Sequence, residues 1–431
     1  MRRRKILIVL LGLVVLSQLP FAYRRYRLAR LQKAIQQLES QRAAPQSESD
    51  FIDYQGVIHV HSSLGGHSTG TFAELIAAAK ANQLDFLIMT EHPQAEFDTS
   101  AMTLSGVHAG ILFLNGNEVA TASGDRLLLI PGSADAASMS TQTTQEVIAK
   151  QKSAGGLAFA TYPSESQNWQ SSSVDGVEVY NLFTNARQYN AFVAVFDSVW
   201  SYRGVADLMF ANFFARPAAN LNRWDQAMLG GTRKLVAIAG NDAHSNIGLS
   251  MNDASGKQWL GVKLDPYERS FRTVRTHVLI RKDKGLTREA LLEAISQGHC
   301  YISFDLFGDA KGFSFATIGG FFGIMGDETP KLGGLHLRAA APYPCRFVLF
   351  KNGVVAGEES GTAVEFAVDG PGTYRVEAYL DSLPALVRGQ PWVISNPIYV
   401  DVAPLVVATS AYPFCKKAHK TRFLSTPKAM C

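Results

Sequence analysis

Residues 56–62 read G-V-I-H-V-H-S, and the spacing of the two histidines in that stretch sets the reading of everything around it. Val57, Ile58 and Val60 favour an extended strand, in which positions i and i+2 project from one face, so His59 and His61 should leave the strand side by side. Two imidazoles on one face near a strand end can converge on a cation if other strands end beside them. The chain supplies such ends. An apolar run over 86–89 leads into Glu91-His92, another over 111–114 leads into Gly116-Asn117-Glu118, and a third over 236–239 leads into Gly240-Asn241-Asp242-Ala243-His244. Four of the ten histidines, His59, His61, His67 and His92, fall within one 34-residue window. A single histidine at a strand end is more often a hydrogen-bonded structural residue than a ligand. Repetition changes the balance, because so many ionisable groups buried together without a cation would be costly.

Outward from this stretch, strand-like runs alternate with helical patterns. Strands are expected at 57–60, 86–89, 111–114, 127–130, 157–160, 177–179 and 236–239, with helices at 72–82, near 145–154 and at 288–297. That alternation predicts a parallel α/β domain. After residue 297 the character changes to short alternating segments at 312–317, 335–339, 346–350, 364–368, 372–379 and 397–402, punctuated by glycine and by Pro330, Pro342, Pro344, Pro371, Pro384, Pro391 and Pro397. This pattern predicts a small antiparallel β-sandwich.

Upstream, M-R-R-R is followed by a run over 6–23 that as a helix would span about 27 Å, enough for a hydrocarbon core. It predicts one transmembrane anchor. A cleavable signal peptide is the rival, but cleavage after Ala22 would put Pro20 where a small residue is needed. Leu28, Leu31, Ile35 and Leu38 then mark a stalk helix, and A-A-P-Q-S-E-S-D over 43–50 reads as a linker. Basic residues flank the span on both sides, so the positive-inside rule nearly cancels; a start so near the terminus favours a body outside the cytoplasm, in the periplasm or at the cell exterior.

The 431 residues carry 41 Lys+Arg against 37 Asp+Glu, a formal charge of +4, and are 47% apolar. A polycation and a disordered chain are thereby excluded. The first 42 residues hold ten basic residues against one acidic, so the remainder is mildly acidic and nucleic acid is not an expected partner. Cys300, Cys345, Cys415 and Cys431 show no C-x-x-C spacing, and no Walker A sequence is present.

The ordered set G-V-I-H-V-H-S with His67, T-E-H-P at residues 90–93, G-N-E at 116–118, G-N-D-A-H at 240–244 and G-H-C-Y-I-S at 298–303 resembles the PHP (polymerase and histidinol phosphatase) domain, most of all its CehA/McbA-like branch. The resemblance covers roughly residues 54–304. It implies a distorted (β/α)7 barrel, which takes 51–308 between the segments read from composition: an anchor at 1–23, a stalk with linker at 24–50, a sandwich at 309–403 and a basic tail at 404–431. It also implies two or three divalent cations (Zn, Mn or Fe) at the strand ends and hydrolytic chemistry. Carried over by position, His59, His61, Glu118 and Asp242 match one metal site, with Glu118 as the bridge, and His67, His92 and His244 match another. Glu118, Asp242 and His244 take the catalytic roles. An intervening site departs from the family pattern: Gly124-Asp125 and Tyr162-Pro163 stand where it has G-H and H-P. Asp125 can still ligate, whereas a neutral tyrosine is a poor ligand. Glu178 matches a motif position with a supporting role.

A water held between two divalent ions becomes a nucleophile near neutral pH, so no Ser or Cys nucleophile is needed. The expected function is a phosphoesterase acting on a phosphate monoester or diester. Alternatives are a carbamate, ester or amide hydrolase on the same centre, or a catalytically weak surface binding protein. Arg187, Arg203, Arg216 and Arg223 are candidate grips for an anionic small-molecule substrate, although surface solvation explains such residues more often; Trp224 and Asp225 are suggestive only. Oligomeric state is not legible.

Overall fold

Strand Phe51–Val60 organises the molecule by serving three neighbours. In the computed structural model, which describes residues 2–43, 50–166, 168–187, 190–201, 204–229, 233–252 and 258–402, it pairs in parallel with Phe86–Met89 on one edge. On the other edge its first half pairs antiparallel with Arg275–Arg281, and Ile58 and Val60 pair in parallel with Val236–Ala243. From there the sheet runs through Gly176–Asn181 and Leu157–Thr161 in parallel, then through Arg126–Ile130 and Asn117–Ala120 antiparallel. A bridge from Asn117 to Glu91, just past Phe86–Met89, closes the ring, and Ile111–Leu114 lies on the outer edge of Phe86–Met89.

The protein is thus a mixed α/β structure with one large sheet. It differs from a regular repeat of parallel strands at Arg126–Ile130, which runs against both of its neighbours. The reason is local: five residues, 121–125, separate it from Asn117–Ala120, enough for a hairpin and far too few for a crossover helix. Helices Phe72–Ala81 and Thr144–Ser153 each begin with a capping box, Thr71 with Glu74 and Thr143 with Glu146. Arg288–Gln297 ends on Gly298 in the left-handed conformation. The strand walls are packed with Ile58, Phe86, Ile88, Leu128, Phe159 and Ile238, all buried.

The C-terminal strands are hydrogen-bonded to the same sheet. Cys300–Ser303 pairs with Arg275–Arg281 on one side and Val393–Ser395 on the other, so the sheet continues without a break into the segment expected to be a separate sandwich. There the two short strands expected at 335–339 and 346–350 are one strand, His336–Lys351. Pro342 and Pro344 fall in the gap between Ala340 and Cys345, where its pairing with Val354–Ala367 slips, and so remove no ladder bond. Its first half carries Ser314–Ile318 and its second half Gly372–Tyr379.

The N-terminal helix is continuous over Arg2–Glu39, running through Pro20 and across the boundary expected near residue 23. Its first half exposes Leu7, Leu10, Leu11, Val14 and Leu16, while Leu28, Leu31 and Leu38 are buried against the body. Phe21 stacks on Phe196 at 4.9 Å and Arg24 pairs with Asp197 at 2.7 Å. By length and composition Arg3–Glu39 is able to cross a membrane, a test that a signal sequence also passes. The expected basic tail, with Cys415 and Cys431, lies outside the described residues; Cys300 and Cys345 are buried free thiols.

Candidate metal centre

Where strands Phe51–Val60 and Val236–Ala243 end and strand Asn117–Ala120 begins, His59, His61, Glu118 and Asp242 bring one ligand atom each within 4.8 Å of one another, and all four are buried. His59 Nε2 lies 3.4 Å from both Glu118 Oε2 and Asp242 Oδ1; His61 Nε2 lies 3.6 Å from the former and 3.3 Å from the latter. A second group joins His61 to His92 and His244, whose rings flank it at 4.5 and 4.4 Å. His67 is exposed at the rim, its ring 4.8 Å from that of His92.

The backbone is strained where the ligand atoms converge. His59 (φ 67°), Tyr162 (φ 49°) and Asp242 (φ 48°) all adopt the left-handed region, which costs such residues about 1–3 kcal/mol each. At His59 the pairing with both neighbouring strands slips by a residue. The histidines therefore converge through a bulge, and the simple alternation anticipated from positions 59 and 61 is not the cause. Behind His59, Glu178 Oε1 accepts from Nδ1 at 2.6 Å, which leaves Nε2 free to ligate. Gly240 makes room for this contact: a Cβ there would overlap the Glu178 carboxylate.

The electrostatics follow from this crowding. Burial would lower the His59 pKa, but Glu178, Asp242 and Glu118 raise it well above the ordinary value. His92 is pushed down to about 3 and His244 to about 4 by burial and by the neighbouring His61. Burial would raise Glu118, yet facing His59 it falls to about 2. The donor set suits a divalent cation, because His59 Nε2, both ring nitrogens of His61 and Asp242 Oδ1 are buried without a hydrogen-bond partner. One cation would satisfy His59 Nε2, His61 Nε2 and Asp242 Oδ1 at once.

The remaining candidates are distributed differently. Asp125 is buried, but its Oδ2 accepts from Thr144 Oγ1 at the start of helix Thr144–Ser153, and it belongs to neither group above. The residue that does face the centre is the next one, Arg126, at 3.4 Å from Glu118 Oε1. Alternation along the strand accounts for the exchange: if Arg126 faces the cleft, Asp125 cannot. Tyr162 donates to Asp242 Oδ2 at 2.8 Å. Arg216 is taken by Glu377, and Arg223 by the carbonyls of Pro163 and Ser166. Asp225 pairs with Arg375, whose guanidinium lies over the buried Trp224. These four are structural. Arg203 and the side chain of Arg187 lie outside the described residues. Arg126, which the sequence reading passed over, lines a cleft of about 610 Å3 above the cluster together with His67, His92, Ser140, Tyr162 and Asn246.

No family model matches the chain, and no curated protein matches it. Among solved structures it is similar to a two-domain protein from Bacteroides vulgatus described as containing a predicted PHP-like metal-dependent phosphoesterase, at 14% identity over 83% of this chain and 98% of that one, with a TM-score of 0.36. It is also similar to PsfC from Pseudomonas syringae, at 13% identity over 59% of this chain and 92% of that one, with a TM-score of 0.35. Likenesses of this size carry no weight for function, which rests on the cluster itself.

Proposed function

We propose that the protein is a metal-dependent hydrolase of the PHP type, most closely of the CehA/McbA-like branch, acting as a phosphoesterase on a phosphate monoester or diester. The observation that carries this reading is the convergence of His59, His61, Glu118 and Asp242, with His59 Nε2, His61 Nε2 and Asp242 Oδ1 unpartnered. His59, His61, Glu118 and Asp242 would hold one divalent ion, and His92 and His244, with His67 at the rim, another. Such ions, when bound, supply Lewis acidity and lower the pKa of water enough to give hydroxide near neutral pH. Glu178 fixes the His59 tautomer by accepting from Nδ1. The Asp242 backbone carbonyl lies 2.8 Å from His244 Nδ1 and orients that ring in the same way. Tyr162, kept protonated by burial and by Asp242, holds one oxygen of that carboxylate in place.

The N-terminal helix serves in this proposal as a single membrane anchor with the body outside the cytoplasm. The exposed apolar first half and the docked second half support it, since cleavage after Ala22 would cut a continuous helix and remove Phe21, which stacks on Phe196. Elemental analysis of purified protein together with a substrate panel tests the function. About two equivalents of metal and chelator-sensitive turnover of p-nitrophenyl phosphate or bis-p-nitrophenyl phosphate are expected. Turnover of carboxylic esters or carbamates without phosphoesters would move the assignment to that class of hydrolase. Absence of metal after supplementation would overturn it.

A further inference from the structure

Glu118 and Asp242 each present two different oxygens to two different environments. Glu118 Oε2 faces histidines, 3.4 to 3.6 Å from His59, His92 and His61, and Asp242 Oδ1 faces His61, His59 and His244 at 3.3 to 3.5 Å. Their outer oxygens meet donors supplied by the chain. Glu118 Oε1 lies 3.4 Å from the Arg126 guanidinium, and Asp242 Oδ2 accepts from Tyr162 at 2.8 Å and lies 3.4 Å from Asn181 Nδ2. Arg126 also lies over the Tyr162 ring, 5.8 Å from its centroid.

The unpartnered atoms of the centre are distributed the same way. His59 Nε2, His61 Nδ1 and Nε2 and Asp242 Oδ1 are all on the histidine side. On the other side a permanent positive charge already sits against Glu118, and arginine does not release its proton. A further divalent ion there would meet that charge at close range and would find both outer oxygens engaged. Arg126 is only loosely held, however. Its side chain is half exposed, its contact with Glu118 is long, and it forms part of the cleft wall. A guanidinium so placed is suited to gripping an anionic oxygen that enters the cleft.

We propose that Arg126 and Tyr162 together occupy the place of a third cation, so that the centre holds two metals, and that Arg126 is the residue that binds the oxyanion of the substrate. The inference rests on the metallohydrolase reading and extends it from the number of ions to the group that recognises the substrate's charge. Tyr162 is a positioning residue, acting through Asp242.

Two measurements on the full-length protein, neither requiring turnover, test this. The first is metal content by elemental analysis after saturation with Zn or Mn and removal of free metal. Two equivalents are expected in the wild type; three would overturn the proposal. The second is calorimetric titration of the metal-loaded protein with inorganic phosphate, comparing wild type, Arg126→Lys and Arg126→Ala. Arg126→Ala should weaken phosphate binding by roughly tenfold or more, and Arg126→Lys should recover part of the loss. Equal phosphate affinity in all three would overturn the proposal while leaving the metal centre standing. A wild type that takes up no metal would instead remove the metallohydrolase reading beneath it. Arg126 is partly exposed, so its removal leaves folding intact, which the thermal unfolding midpoint of each variant checks.

Discussion

Two histidine–carboxylate clusters sit at opposite ends of strand Phe51–Val60, built from the same residue types with opposite bookkeeping. At the C-terminal end, His59, His61, Glu118 and Asp242 converge with several inward atoms unpartnered. At the N-terminal end, His277 lies beside Gln55 in the register, with Nδ1 2.8 Å from Asp53 and Nε2 3.4 Å from Asp305. Tyr301 donates to Asp53 at 2.6 Å, and Arg275 reaches Asp305 at 3.2 Å. His277, Asp305 and Asp309 also satisfy a simple distance criterion for metal binding. Yet both His277 nitrogens are already engaged, and Asp309 is paired with Arg42. Proximity of ligand-type residues is therefore a poor discriminator. What separates the two clusters is several unpartnered atoms converging on one point; single ones, such as Asp125 Oδ1 or the Tyr180 hydroxyl, also occur outside the metal-ligand group.

That contrast breaks most readily at His61. Replacing it by Ala removes a ligand shared by both groups and should lower metal-dependent turnover by about a thousandfold or more. Neither ring nitrogen makes a hydrogen bond, so the metal-free variant should lose only the packing of a buried ring, about 2–3 kcal/mol. A loss well beyond that in the absence of metal would place His61 with the structural kind of cluster. The mirror experiment is His277→Gln, which should leave metal content unchanged and destabilise the fold by about 3–5 kcal/mol, since it leaves buried carboxylates uncompensated. Denaturant unfolding and elemental analysis of the same sample check both halves.

The same histidine gives the comparison a pH signature. Burial would lower its pKa, but Asp53 and Asp305 raise it from 6.5 to about 10. The folded state thus keeps a proton that the unfolded chain releases near pH 6.5. Its stabilising contribution is complete below that pH and is lost as the pH climbs through 10. Unfolding free energy should decline across this window in the wild type and decline less in His277→Gln. Parallel curves would mean that the network does not hold a charged imidazole.

How much of this was legible in advance depends on how local each signal is. Strands Phe86–Met89 and Ile111–Leu114 and helix Arg288–Gln297 have the expected bounds, because apolar periodicity and end signals lie within the segment itself. The convergence of His59 and His61 was anticipated on the wrong geometry, since a bulge set by two neighbouring strands cannot be read from one strand. Helices Ala191–Ser201 and Ala218–Ala227 were missed: the first is apolar on most positions, and the second begins on Pro217, which lacks a side-chain cap. Arg126 was passed over because the ligand was sought at the adjacent position, where the direction of the side chain depends on a hairpin register that involves distant residues.

Support behind the ligands is a subtler test of the same contrast. Glu178 belongs to the site by its contact with His59 but resembles the structural network in being bonded, to His59 at 2.6 Å and to Asn181 at 3.1 Å. Glu178→Gln keeps the shape and removes the charge that favours the Nδ1-protonated tautomer. Metal affinity should fall roughly 10–100-fold, and the metal-free protein should lose part of its stability as well, since a buried 2.6 Å pair gives up its charge. An unchanged affinity would show that the bulge alone orients the ring.

The smallest effect is expected at Asp125, and it decides between two ways of locating a ligand. Position relative to Gly124 nominates this carboxylate as a metal ligand, whereas its contact with Thr144 at the start of helix Thr144–Ser153 makes it an anchor for that helix. Asp125→Asn retains an acceptor for Thr144 and loses only the favourable interaction of the charge with the helix N-terminus, about 0.3–1 kcal/mol. Metal content and phosphate affinity should match the wild type, because the side chain stands on the far side of the strand from Arg126. A loss of one metal equivalent in this conservative variant would restore Asp125 as a ligand and require the strand Arg126–Ile130 to turn its faces over in the loaded protein. The pairing of this strand on both edges opposes such a slip, because moving the register by one residue would carry Arg126 from Glu118 to the face where Leu127 and Leu129 are buried.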